Sequence, residues 1–132
     1  MEEKKNQFII YSSEDGQAKM EVRLDGDTVW LSQKQMAELF DKDVRTVNEH
    51  IKNIFTEGEL EENSVIRKFR ITASDGKQYE TIHYNLDVII SVGYRVSSLR
   101  GTQFRIWATQ RLREYIVKGF TMDDERLAAV KV

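Results

Sequence analysis

Cysteine is absent from the 132 residues, which excludes disulfides, thiolate nucleophiles and cysteine-ligated metals together. Proline is absent too, and with no low-complexity stretch or internal repeat nothing marks a linker within residues 8–120. Apolar runs are short, none near the roughly 20 residues a membrane helix needs. The start of the chain carries Glu2, Glu3, Lys4 and Lys5 where a signal peptide would be apolar. A cytoplasmic protein that engages no membrane is the expectation. Histidine occurs only at His50 and His83, and neither has a cysteine partner or a His-Glu-x-x-His spacing, so no metal site is expected.

Hydrophobic residues make up 40% and charged ones 32%, a balance that supports one globular domain with its own core. The net charge of −2 is not strongly basic, yet its distribution is uneven. Residues 1–63 hold 8 Lys/Arg against 15 Asp/Glu, whereas residues 64–120 hold 10 against 4. A basic face therefore fits within an acidic chain.

Three Asp-Gly pairs, at Asp15, Asp25 and Asp75, favour the positive φ of tight hairpin turns. The first two punctuate a meander of residues 8–11, 19–24 and 28–30, with Met20, Val22 and Leu24 alternating inward. The third joins residues 65–72 to 77–84. There Val65, Phe69 and Ile71 point one way, Lys68 and Arg70 the other, although Ile66 and Arg67 break the alternation. This reads as a two-stranded ribbon with a basic outer face. Asn85 is an N-cap for a helix over 86–96, with Asp87 near the positive end of its dipole. A second helix over 102–118 follows, its stripe of Phe104, Ala108, Leu112 and Tyr115 widened by Trp107 and Ile116, with Gly119 as its C′ residue.

Between meander and ribbon lies the most informative stretch, residues 32–55. Ser32 and Gln35 form a capping box, opening a helix that buries Met36, Ala37, Leu39 and Phe40. Asp41, Lys42 and Asp43 make a short turn, with Asp43 placed to cap the next helix, which buries Val44, Val47, Ile51 and Ile54. Helices joined so tightly need a small residue at their crossing, and Ala37 supplies it. Asp41 stands where glycine is usual, at a left-handed position that aspartate tolerates. Lys42 and His50 occupy positions that are more often apolar. This is a helix-turn-helix. Its second helix leaves Arg45, Thr46, Asn48, Glu49, Lys52 and Asn53 outward. Arginine and asparagine pair bidentately with guanine and adenine edges, and glutamate accepts from cytosine. Arg45, Thr46, Asn48 and Glu49 are thus the candidate base-reading set and Lys52 a phosphate contact. With Lys68, Arg70 and Lys77 on the following ribbon gripping phosphates, the arrangement is winged.

The fold class is therefore α+β: a helix-turn-helix with small antiparallel β hairpins, winged-helix-like, followed by two C-terminal helices. One DNA-binding domain spans 8–120, made of the helix-turn-helix 32–55, the basic hairpin 64–84 and helices 85–96 and 102–118. Residues 1–7 are a flexible tail, and 121–132 a tail or the start of a truncated C-terminal region.

Several stretches resemble the RhuM virulence-protein family of bacteria: Val47-Asn48-Glu49-His50-Ile51-Lys52-Asn53-Ile54-Phe55, Glu57-Gly58-Glu59-Leu60, Tyr84-Asn85-Leu86-Asp87, Val92-Gly93-Tyr94-Arg95 and Phe104-Arg105-Ile106-Trp107-Ala108-Thr109. The resemblance covers about residues 8–127 and implies a prokaryotic protein from a horizontally acquired or pathogenicity region. Members of that family are often longer, and some carry Fic/DOC-type domains, so the resemblance implies an N-terminal domain here. More distantly, the C-terminal half resembles the N-terminal domain of Bro-type phage and viral regulators, which bind DNA. No functional residues carry over from either family.

Catalytic chemistry is missing. His50 reads as a packing contact and His83 as a hydrogen-bonded structural residue. No metalloprotease or Fic-type histidine motif occurs, and no glycine-rich phosphate loop. Ser12 and Ser13 have no neighbouring base. Glu57, Glu59, Glu61 and Glu62 read as a solvated spacer, since acid/base work needs burial. Trp107, between Arg105 and Arg111, reads as core in preference to a stacking platform for single strands. The expectation is a transcription regulator with no enzymatic activity, cofactor or metal, binding double-stranded DNA as a homodimer. The alternatives are a protein–protein interaction module, or a regulatory N-terminal domain of a larger protein without direct DNA binding.

Overall fold

The computed structural model describes the backbone of residues 6–131 and the side chains of residues 7–115. The chain is α+β, in the order β1 (Asn6–Ser12), β2 (Lys19–Asp25), β3 (Thr28–Ser32), α1 (Gln33–Phe40), α2 (Val44–Thr56), α3 (Glu62–Val65), β4 (Ile66–Thr72), β5 (Gln78–Asn85), α4 (Leu86–Arg95) and α5 (Leu99–Lys131). The meander and the ribbon are not separate hairpins. They form one antiparallel sheet in the order β1-β2-β3-β5-β4, closed by the pairing of β3 with β5 through Leu31 and Tyr84. A winged-helix likeness is not established by this topology, because the ribbon is the end of a five-stranded sheet.

Turn chemistry sets the strand boundaries. Gly26 is the first central residue of the two-residue loop between Asp25 and Thr28, at φ +71°, a region its missing Cβ leaves open. Asp15 and Asp75 each accept from the amide two residues on, Gln17 and Lys77, which fixes the other two turns.

One face of the sheet carries Tyr11, Met20, Val22, Leu24, Val29, Leu31 and Tyr84, all buried, and α1, α4 and α5 pack on β3 beneath it. Phe104, Ala108 and Leu112 of α5 complete a single hydrophobic cluster with these residues. Trp107 is core as expected, half-buried with its ring 4.9 Å from that of Tyr11 and 5.6 Å from that of Phe104. Where α4 and α5 cross, neither helix has a side chain to spare. A Cβ on Gly101 would lie 3.1 Å from the Gly93 Cα and 3.2 Å from Cε1 of buried Phe40.

Three elements differ from the sequence reading. β1 begins at Asn6, so Asn6 and Gln7 belong to a strand and not to a tail; residues 1–5 of that expected tail lie outside the described residues. α5 starts at Leu99 and runs to Lys131, so Gly119 does not end it and 121–131 are helical. A lone glycine costs a helix only about 1 kcal/mol, which its neighbours outweigh. α3 was not foreseen, being a single turn with little periodicity to read.

Candidate nucleic-acid interface

The capping box forms as the sequence requires. Ser32 has extended φ and ψ, its Oγ accepts from the Gln35 amide (3.2 Å), and Gln35 Oε1 accepts from the Ser32 amide (3.0 Å). Gln35 Nε2 also donates to the Glu21 carbonyl (2.7 Å), anchoring α1 on β2. The helix ends where Asp41 turns left-handed, at φ 55° and ψ 50°, and the Lys42 amide returns to the Ala37 carbonyl (2.9 Å). Ala37 is buried at the crossing.

Asp43 precedes α2 in extended conformation but makes no side-chain cap bond. Val47, Ile51 and Ile54 are buried as expected, whereas Val44 is 43% exposed. As the first residue of α2 it follows the turn 41–43, which is exposed throughout and offers no layer to pack against. His50 is half-buried.

Of the candidate readers, Arg45, Glu49 and Lys52 are exposed, as is Asn53, while Thr46 and Asn48 are half-buried on the same helix. Asn48 is tethered: its Oδ1 accepts from Gln33 Nε2 (2.9 Å), which also donates to the Tyr84 hydroxyl (3.2 Å). Tyr84 lies on β5, so the outward side of α2 is linked through Gln33 to the strand that carries the ribbon. Sequence reasoning missed this bridge, since its three residues are brought together only by tertiary structure.

On the ribbon, Lys68 and Arg70 are exposed and alternate with half-buried Phe69, and Lys77 is exposed beside the turn. The basic face is less uniform than expected, because Arg70 stands directly across from Glu80. Ile71 lies on the same side of β4 as Phe69, as read, but is exposed, while Val65 is buried at the end of α3.

On the other side of the sheet, arginines and rings interleave. Arg23 lies over Phe8 (4.6 Å) and Phe69 (4.1 Å), and Arg67 over Trp30 (4.6 Å) while paired with Asp25 (3.1 Å). Such a contact is worth about 0.5–1 kcal/mol where the partners are exposed, as at Arg67 and Phe8, and up to about 2 kcal/mol where both are desolvated. His83 sits at the edge of this array, 5.0 Å from the Phe69 ring, its Nδ1–H donating to the Thr81 carbonyl (3.0 Å). Burial pushes its pKa down, which keeps it a neutral structural histidine.

The acidic stretch after α2 is exposed, but not merely a spacer. Arg95 of α4 pairs with Glu57 and Glu59, at 2.8 Å each, and Glu59 also accepts from the Ser91 hydroxyl (2.7 Å). Arg95 and then Ser91 hold the Glu59 carboxyl below its ordinary pKa. This clamp ties the end of α2 to α4. Its only sequence signal was opposite charge at a separation of 36 residues or more, too weak to read.

Among the described residues, no group of three or more His, Asp or Glu could hold a metal ion, and no helix is long and apolar enough to cross a membrane.

The model of the virulence protein RhuM family matches residues 64–132, which take in β4, β5, α4 and α5. No curated protein matches the chain. No solved structure matches it. The comparisons give no support to the more distant Bro-type likeness. Three of the resembling stretches fall within the matched span, and their residues build structure: Asn85 caps α4 by accepting from the Val88 amide, Gly93 admits the α5 crossing, and Phe104 and Ala108 are core. With just over half of its residues matched in this way, the chain belongs to the RhuM virulence protein family.

Proposed function

We propose that this chain is a non-enzymatic, cytoplasmic domain that binds double-stranded DNA and regulates transcription, acting as a homodimer. The observation that carries the reading is the α1–α2 corner: a capped helix, a left-handed Asp41 and a second helix whose outward side holds Arg45, Thr46, Asn48, Glu49 and Lys52. Helices held in this way present their N-terminal residues to the major groove. Arg45 then reads guanine, Glu49 accepts from cytosine and Lys52 meets a phosphate. Thr46 is the remaining N-terminal polar contact. Asn48 uses both ends of its amide for adenine, and its Oδ1, already accepting from Gln33, has one lone pair left for the base. Lys68, Arg70 and Lys77 supply sequence-independent grip, with Arg70 partly offset by Glu80 across the ribbon.

Paired substitutions separate reading from grip. Arg45→Ala weakens specific binding by about 1–3 kcal/mol and relaxes preference at one base pair. Lys68→Ala with Arg70→Ala weakens binding to all duplexes and lowers the salt slope by about 2, because two phosphates are no longer neutralised by the protein. Unchanged affinity in both variants removes this surface from consideration.

A second reading, a protein-interaction module, draws support from the α4–α5 corner. There Tyr94 (76% exposed) and Leu99 (72%) flank an open groove of about 410 Å³. On that reading the α2 and ribbon variants bind duplex no differently from the unmodified protein, and Leu99→Asp is the substitution that costs activity.

A further inference from the structure

Among the described residues the sheet ends in two edge strands, β1 and β4, and they are built differently. Unpaired edge strands invite pairing with other chains, and proteins blunt them with lysine, proline, bulges or short length. β4, with sequence IRKFRIT, is blunted by Arg67, Lys68 and Arg70. β1, with sequence NQFIIYS, has no charge, proline or glycine, and its register with β2 runs unbroken from Asn6↔Asp25 to Ser12↔Lys19. Two large apolar residues on it, Phe8 (52%) and Ile10 (53%), remain exposed on the side of the sheet away from the helices. On the same side Arg23 lies over the Phe8 ring and holds it in place.

We propose that β1 pairs antiparallel with β1 of a second copy of this chain, about a two-fold axis at Ile9. The contact is then isologous, with Phe8 opposite Ile10 of the second copy and Ile10 opposite its Phe8. The charges of β2 favour this register over a foreign strand. Arg23 pairs across from Phe8 and Glu21 across from Ile10. Each apolar pair is therefore flanked by Arg23 of one copy and Glu21 of the other. The two sheets become one of ten strands.

The test is sedimentation equilibrium of the full chain without DNA, from micromolar to millimolar concentration. A concentration-dependent dimer is expected, with Ile10→Lys raising its Kd at least about tenfold, while Ile71→Lys on the β4 edge leaves it unchanged. Because the chain has no cysteine, register is testable by oxidation. A Phe8→Cys chain mixed with an Ile10→Cys chain forms a disulfide-linked pair, whereas neither variant alone does. A monomer at every concentration, a dimer indifferent to Ile10→Lys, or no cross-link in the mixture overturns the proposal. The proposal rests on the homodimer of the proposed function but not on its duplex binding: a β1 dimer that ignores duplex removes only DNA binding, and a monomer that binds duplex removes the dimer and leaves DNA binding standing.

Discussion

Replacing Gly101 with alanine tests the packing that sets α5 against the rest of the domain. In an isolated helix the change stabilises by about 1 kcal/mol, because alanine loses less backbone freedom on folding. Position 101 lies in the first turn of α5, where less of that gain is realised. Against it stands the crossing. The new methyl meets the Gly93 Cα at 3.1 Å and Phe40 Cε1 at 3.2 Å. Neither neighbour is the loose end of a flexible chain: one is helix backbone, the other a ring that is 3% exposed. Forcing an extra methyl into such packing costs about 1–3 kcal/mol. Loss outweighs gain, and Gly101→Ala is expected to destabilise the domain by about 1–2 kcal/mol. Urea unfolding followed by the fluorescence of Trp30 and Trp107 measures it. Gly93→Ala, whose methyl would lie 3.3 Å from the Gly101 Cα and 3.4 Å from Phe40 Cε1, is expected to cost less. In a double-mutant cycle with Phe40→Leu, Gly101→Ala should couple by at least about 0.5 kcal/mol, since the smaller side chain makes room. A Gly101→Ala domain more stable than the parent, or one that does not couple to Phe40, refutes the close-crossing argument.

Two further outcomes follow from local geometry. Asp41 holds φ 55°, so Asp41→Val is expected to cost about 1–2 kcal/mol in urea unfolding while Asp41→Gly costs nothing measurable. In acid, Asp15 and Glu59 both have folded pKa values below their unfolded ones. Asp15 is lowered to about 2 by the Ser13 hydroxyl, the Gln17 amide and Arg100. A depressed carboxyl contributes stability that is fully present above its unfolded pKa and lost as pH falls through the folded value. Stability should therefore hold through neutral pH and decline below the ordinary carboxylate range, down to about 2 for Asp15. Arg95→Ala should return the Glu59 carboxyl toward its ordinary pKa in an NMR titration without moving that of Asp15.

What was legible in the sequence is what short-range chemistry decides. The Ser32–Gln35 box, the Asn85 cap and the Asp-Gly turns each act within a few residues, and each forms as read. The apolar positions of α1 were all correct, because a capped helix of eight residues has one way to face the sheet. What was not legible depends on partners distant in sequence. Nothing local to Leu31 or Tyr84 signals that they pair, so the meander and ribbon read as two pieces instead of one sheet. Gly93 and Gly101 are silent until two helices cross, and Arg95 is an ordinary surface charge until Glu57 and Glu59 stand beside it. In the candidate site the outward residues of α2 were readable from periodicity. The Gln33–Asn48–Tyr84 bridge, which ties α2 to α1 and β5, was not.

The most direct test of duplex recognition is fluorescence anisotropy of the unmodified domain against a random duplex pool, titrated from low to physiological salt. DNA binding through α2 and the ribbon predicts an affinity that falls log-linearly with salt, each neutralised phosphate adding about 0.9 to the slope. Absence of binding even at low salt contradicts it and leaves the α1–α2 corner as scaffold.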